Sequence, residues 1–278
     1  IGATFFIFLF IPSTAQAATH TLIGYDYNSD FLTQTLTKDK SPYLIEHNCS
    51  GNDLNAGITL TIEAGVVIKF APPRNCGWTL NRTNMAVYGN LIINGTKEEP
   101  VIFTSWNDDT SGGDTNSNGN TTSPINGDWG RIQFNTKLGN ISIKNAIFRY
   151  GGGTNPSMIA ISMGSITPTL DNLELAYSST YGIVTSIPIT IHNSRFLHNN
   201  SGAISQDPFN NPQIDAINNW WGDDSGPTTP SNPNGTGQKI FGNVLYDPWV
   251  GKTVQQKNPV IIVPGILGSE QKNGVWVI

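Results

Sequence analysis

A chain of 278 residues has room for one large domain or two modest ones, and its 15 basic and 20 acidic side chains leave a net charge of −5. With only 13% of residues charged and no basic stretch to follow a phosphate backbone, the composition argues against a nucleic-acid partner. Asn, Gly and Pro number 31, 29 and 17, a turn-rich balance that disfavours a helical bundle and favours many short strands.

The chain opens on an unbroken apolar run, Phe5 to Ile11, followed by Ala15-Gln16-Ala17. Small residues either side of one spacer match a secretory cleavage site, so residues 1–18 read as a signal peptide cut after Ala17 or Ala18. The run falls short of the roughly 20 apolar residues of a membrane span, so no transmembrane segment is expected. Export implies a secreted or cell-surface protein in an oxidising compartment. There Cys49 and Cys76, 27 positions apart, are disulfide candidates whose bond would contribute on the order of 3 kcal/mol. With no histidine cluster evident beside them, a zinc site is not expected. Residues 19–57 read as an N-terminal cap. Sequons at Asn48, Asn81, Asn94, Asn120, Asn140, Asn199 and Asn234 would be glycan acceptors in a eukaryotic secretory protein, although turn chemistry alone produces many.

From Ile58 the chain alternates strand and turn: Ile58 to Ile62, Val66 to Phe70, Met85 to Tyr88, Leu91 to Ile93 and Pro100 to Ser105. Trp106 to Gly127 is nearly all Asn, Asp, Ser, Thr and Gly and reads as a protruding, mobile loop. A repeat follows. Ile143-Lys144-Asn145, Leu170-Asp171-Asn172 and Ile191-His192-Asn193 share an aliphatic–polar–Asn pattern, and a fourth copy begins at Ile214-Asp215-Ala216, at offsets of 27, 21 and 23. Tyr181 to Thr185 recurs 20 residues later as Ser201 to Ser205. Such a period without helical stretches predicts the coils of a β-solenoid, about eight of them at roughly 23 residues each. Equivalent strands then stack at about 4.8 Å, and Asn145, Asn172 and Asn193 are expected to form a buried amide ladder at a corner. His192 and His198 are expected to be exposed beside turns.

The string LTIEAGVVIKF, followed by VYGNLIINGTKEEPVIFTS and GDWGRIQF, resembles the opening coils of bacterial right-handed parallel β-helix proteins of the pectin-lyase-like type. Asn218 to Val250, with its tryptophan-glycine turn and Pro-x-Gly-x-Gly loop, is similar to their closing module. The resemblance implies an all-β, right-handed parallel β-helix over residues 58–250. It also implies a fold that hosts polysaccharide lyases, hydrolases and epimerases as well as inactive adhesins and scaffolds. Asp223 and Asp224 are the adjacent acids in a suggestive setting, but the companion motifs of polygalacturonases are missing. They are expected to cap a turn, or at most to hold a structural Ca²⁺. Trp129, Trp220 and Trp221 offer aromatic faces. Trp129 belongs to a structural turn, while the consecutive Trp220 and Trp221 point to opposite sides, so these two are the glycan-contact candidates.

After a polar linker, residues 251–258, the aliphatic run Pro259 to Val263 and the turn Pro264-Gly265-Ile266 are similar to the first strand and turn of α/β-hydrolases of the lecithin–cholesterol acyltransferase and lipase kind. In that family the matching backbone N–H, here that of Ile266, donates to the oxyanion, and Trp276 matches a tryptophan after the turn. No G-x-S-x-G elbow is present, so residues 259–278 read as a truncated domain start with no catalytic nucleophile. The expected function is a β-helix targeting or glycan-contacting module of a secreted acyl hydrolase or acyltransferase. The parent protein would take a lipid or ester substrate, and no cofactor is needed. The alternatives are an inactive adhesin or scaffold and, more weakly, a polysaccharide-active enzyme.

Overall fold

The computed structural model describes residues 21–23, 33–47, 49, 51–119, 121–135, 139–154, 156–162, 168–206, 211–252, 270–273 and 275–277. The expected signal peptide, the aliphatic run from Pro259, the turn at Ile266 and nearly all of the expected linker lie outside them. Among the described residues no helix is long and apolar enough to cross a membrane.

The chain is all-β, built on two long parallel sheets of 13 and 8 strands. Successive turns of the chain lie one over another, so each strand pairs with its equivalent in the coils before and after. One face stacks Gln34–Leu36, Thr59–Glu63, Asn90–Asn94 and the first half of Ile141–Arg149. It continues through the first half of Thr169–Ala176 and Thr190–His192. A second face stacks Tyr43–Ile45, Val67–Phe70, Val101–Ser105 and the later halves of the two long strands, then Arg195–Leu197. The third face runs from Asp53–Leu54 through Met85–Val87, Ile132–Phe134, Ser157–Ile161, Tyr181–Thr185 and Gly202–Gln206 to Gly237–Phe241. The coils therefore begin before Ile58, because strands from the expected cap region pair in register with those that follow.

Period-2 alternation turns one side chain in two inward, and stacking places like on like. Met85, Ile132, Ile159, Ile183, Ile204 and Ile240 form one column, each at most 2% exposed. Leu36, Ile62, Ile93, Ile143, Leu170 and Ile191 form another. Each such aliphatic side chain contributes about 1.5–3 kcal/mol by leaving water. The second face carries the aromatic column: Phe103 and Phe148 stack at 4.6 Å, Phe196 and Trp221 at 5.0 Å.

The stretch after Ser105 is packed over the second face and is not a protruding loop. Lys69 points outward there yet is 1% exposed, because the loop covers it. Its ammonium donates to the Gly113 carbonyl at 2.6 Å and to Thr115 Oγ1 at 3.0 Å, with Asp108, Asp109 and Asp114 close enough to offset its charge. Burial nevertheless dominates and holds the Lys69 ammonium below its ordinary range. Thr104 Oγ1 donates to the buried Asp108, and Ser105 Oγ to Asp128, both at 2.6 Å. Trp129 closes the loop, stacked on Phe70 at 4.1 Å with its indole N–H on the Arg149 carbonyl.

Two expected registers change. Thr190 pairs with Asp215, which sets Ile191 beside Ala216 and makes Asn218 the fourth residue of the Asn series. Ile183 pairs with Ile204, an offset of 21 and not 20. Beyond the last coil, Glu270–Lys272 and Val275–Val277, the latter containing Trp276, form an antiparallel hairpin.

Candidate glycan-contacting groove

From Ile141 on, the corner between the first and second faces carries one residue per coil in the left-handed region, where Asn is the best tolerated side chain after Gly. Asn145, Asn172, Asn193 and Asn218 supply it, with φ between 51° and 58°. Gly95 holds the equivalent register position one coil earlier without a left-handed φ, and any Cβ there would overlap the Asn145 carbonyl oxygen. The expected buried amide ladder is not what forms. Asn145 and Asn172 are half-buried and Asn193 exposed, and one direct rung exists, from Asn172 Nδ2 to Asn145 Oδ1 at 2.5 Å. Asn145 Nδ2 donates to the Gly95 carbonyl and Asn193 Nδ2 to Asp171.

The amides that do satisfy buried backbone are Asn199 and Asn219. Asn219, fully buried, accepts from Ser194 N and donates to the carbonyls of Ile191 and Ala216. Asn199 accepts from Ser178 N and donates to the Leu175 carbonyl, which closes that sequon to glycosylation in the folded state.

The Asn corner is concave. Two adjoining hollows, of about 210 and 380 Å³, share Arg195 as a common wall. Asn145, Asn172 and Glu174 line the first; Asn193 and Trp220 line the second. Glu174 is the one carboxylate among the described residues lining either, and it is occupied. Arg149 reaches it at 2.6 and 3.0 Å, and the more exposed Arg195 at 3.4 Å. Glycoside hydrolysis uses a facing pair of carboxylates, and none faces Glu174 across these hollows. What the groove offers is hydrogen bonding. Among the described residues the amides of Asn145, Asn172 and Asn193 each spend one N–H on the protein and carry a second, at intervals of one coil.

Trp220 and Trp221 divide as their alternation requires. Trp221 is fully buried against Phe196, which removes it as a glycan contact. Among the described residues its indole N–H has no hydrogen-bond partner. Trp220 is half-buried and forms one end of the groove. Asp223 Oδ1 accepts from Ser225 Oγ and Ser225 N, bonds that hold its carboxyl below the usual carboxylate range. The Asp224 carbonyl accepts from Trp249 Nε1 at 2.9 Å. Among the described residues neither acid belongs to a group of three His, Cys, Asp or Glu donors, and the bonds of Asp223 to Ser225 close a turn.

The next corner holds residues that the motifs did not reveal. Tyr150, Tyr177 and His198 also have positive φ and stack ring on ring at 5.2 and 5.1 Å. Each lies five residues after an Asn of the series, which was the available signal. Their faces cover one another, so the column offers ring edges in place of a flat sugar platform. His192, expected to be exposed, is half-buried with Nε2 2.9 Å from Asp215. Comparison with known protein families, with curated proteins and with solved structures finds no match for this chain.

Proposed function

We propose that the chain is a right-handed parallel β-helix that contacts glycans through the Asn corner and performs no catalysis there. The reading is supported chiefly by one observation: a groove spanning several coils, with amides at coil spacing, Trp220 at one end and a single, already bridged carboxylate. An extended oligosaccharide presents hydroxyls along its length, and amides with an aromatic side chain suit such a ligand. The test is calorimetric titration with a panel of soluble neutral and acidic cell-surface polysaccharides. At least one should bind, and Trp220→Ala should weaken it at least about tenfold, roughly 1.4 kcal/mol, with an unchanged circular dichroism spectrum. Binding by none, or equal binding by Trp220→Ala, would leave the inactive scaffold as the better reading.

We also read the module as the positioning part of a secreted or surface acyl hydrolase or acyltransferase. That reading rests on the sequence around Pro264 and Ile266 alone. Its test is ester cleavage by the product of the complete coding sequence, and loss of that cleavage when the serine of a downstream G-x-S-x-G is replaced.

A further inference from the structure

A hollow of about 500 Å³ opens away from the Asn corner, walled by His47, Cys49, Leu80, Arg82, Asn84 and Thr154 among others. Cys49 and Cys76 are joined here as a disulfide, with Cα atoms 5.6 Å apart. His47 Nδ1 stands 3.9 Å from Cys76 Sγ. The histidine donor atom and both sulfurs lie within 4.8 Å of one another, the one such trio of His, Cys, Asp or Glu among the described residues. Two of the three sit on one connection and the third on a distant hairpin. His47 follows Tyr43–Ile45, Cys49 precedes Asp53–Leu54, and Cys76 ends the first strand of the hairpin Arg74–Cys76/Thr79–Asn81.

A tetrahedral zinc with bonds of about 2.3 Å to sulfur and 2.0 Å to nitrogen places sulfur and nitrogen ligands about 3.5 Å apart, and two sulfurs about 3.8 Å apart. The His47–Cys76 separation is already close to that. The sulfurs must part from bonding distance while each settles at ligand distance from His47, and the hairpin that carries Cys76 is the element that would move. Among the described residues its strands pair only with each other, and its tip, Trp78, is fully exposed.

We propose that reduction of the Cys49–Cys76 disulfide converts this cluster into a zinc site, ligated by both thiolates and by His47 Nδ1, with its fourth position open to the hollow. A dithiol supplies the reduction: it closes its own disulfide, and its two hydrogens pass to Cys49 and Cys76. Zn²⁺ then displaces both thiol protons. Two thiolates balance the ion's charge, so no carboxylate is required, and none lines the hollow. Arg82 in the wall suits a neutral or anionic exchangeable ligand at the fourth position. The site is independent of the glycan groove.

The test uses the whole chain reduced with a phosphine under argon and titrated with Co²⁺ as an optical stand-in for zinc. The expected result is one Co²⁺ per chain, with a thiolate charge-transfer band and tetrahedral visible bands, displaced by Zn²⁺ and absent from the oxidised chain. His47→Ala should weaken binding at least tenfold and Cys76→Ser should abolish the band. Far-ultraviolet circular dichroism follows the fold of each sample. A reduced, folded chain without the band would overturn the proposal, as would His47→Ala binding as tightly as the parent. Loss of the β signal on reduction would do so too, because the site needs the coils in place.

Discussion

Two corners run along the stack and begin from the same backbone demand, one left-handed residue per coil, yet they end as opposite surfaces. At the first, Asn145, Asn172 and Asn193 meet the demand with a short polar side chain, and the corner stays hollow. Five residues on, Tyr150, Tyr177 and His198 meet it with rings that fill the corner by stacking. Left-handed backbone costs an ordinary L-residue about 1–2 kcal/mol, and the corners offset this differently. The amides tolerate the conformation intrinsically, whereas the rings regain energy from one another. A corner stabilised by its own conformation is left open to a ligand; one stabilised by stacking is closed.

The largest effect is expected in the interior that both corners enclose. Trp221→Ala should cost about 3–5 kcal/mol in urea unfolding, since it empties the end of the aromatic column. Trp221→Phe should cost far less, because the ring contact with Phe196 is kept and a buried N–H without a partner is removed. Equal losses in the two variants would mean that the indole nitrogen is satisfied after all.

The comparison itself is sharpened by glycine at equivalent sites. Asn172→Gly should change stability by only a few tenths of a kcal/mol, since Gly accepts the same φ without strain. Tyr177→Gly should cost about 1–2 kcal/mol, because it interrupts the stack on both sides. Similar costs at the two positions would break the distinction drawn between the corners.

The smallest effect concerns the loop over Lys69. Burial lowers the folded-state pKa of this lysine, so between that value and the ordinary lysine range the unfolded chain binds more protons than the folded one. Stability must therefore rise with pH across that window, and the contribution is absent below it. Relative to Lys69→Met, the parent should gain stability as the pH rises toward the ordinary lysine range in paired urea titrations. A constant difference would mean that the lysine titrates alike in both states.

The all-β stack was legible because aliphatic residues recur with period 2 between turns, and the Asn series was legible because left-handed corners select that residue. The errors have equally specific causes. A slip of two residues keeps every side chain on its face, so Ile214-Asp215 imitated an aliphatic–polar pair that pairs elsewhere, and only the left-handed Asn218 identifies the true register. Aligning Gly182 with Gly202 misplaced the third face by one residue, because a glycine match carries no information about which way neighbours point. The groove was half legible. Trp220 was a candidate from alternation, but Arg195 and Glu174 enter only through stacking of coils 21 and 25 residues apart. His47 beside Cys76 was legible in part, since it stands two residues from Cys49, the expected disulfide partner of Cys76, but its approach to the second sulfur depends on where the hairpin folds back.

The central claim is that ligand meets the amide corner and leaves the aromatic one alone. The direct measurement is a titration of the protein with a bound polysaccharide fragment, followed by NMR of side-chain amides, the indole N–H of Trp220 and the rings of Tyr177 and His198. The account predicts shifts at Asn172, Asn193 and Trp220 with unmoved signals at Tyr177 and His198. Shifts concentrated at Tyr177 and His198, with the amides unmoved, would contradict it.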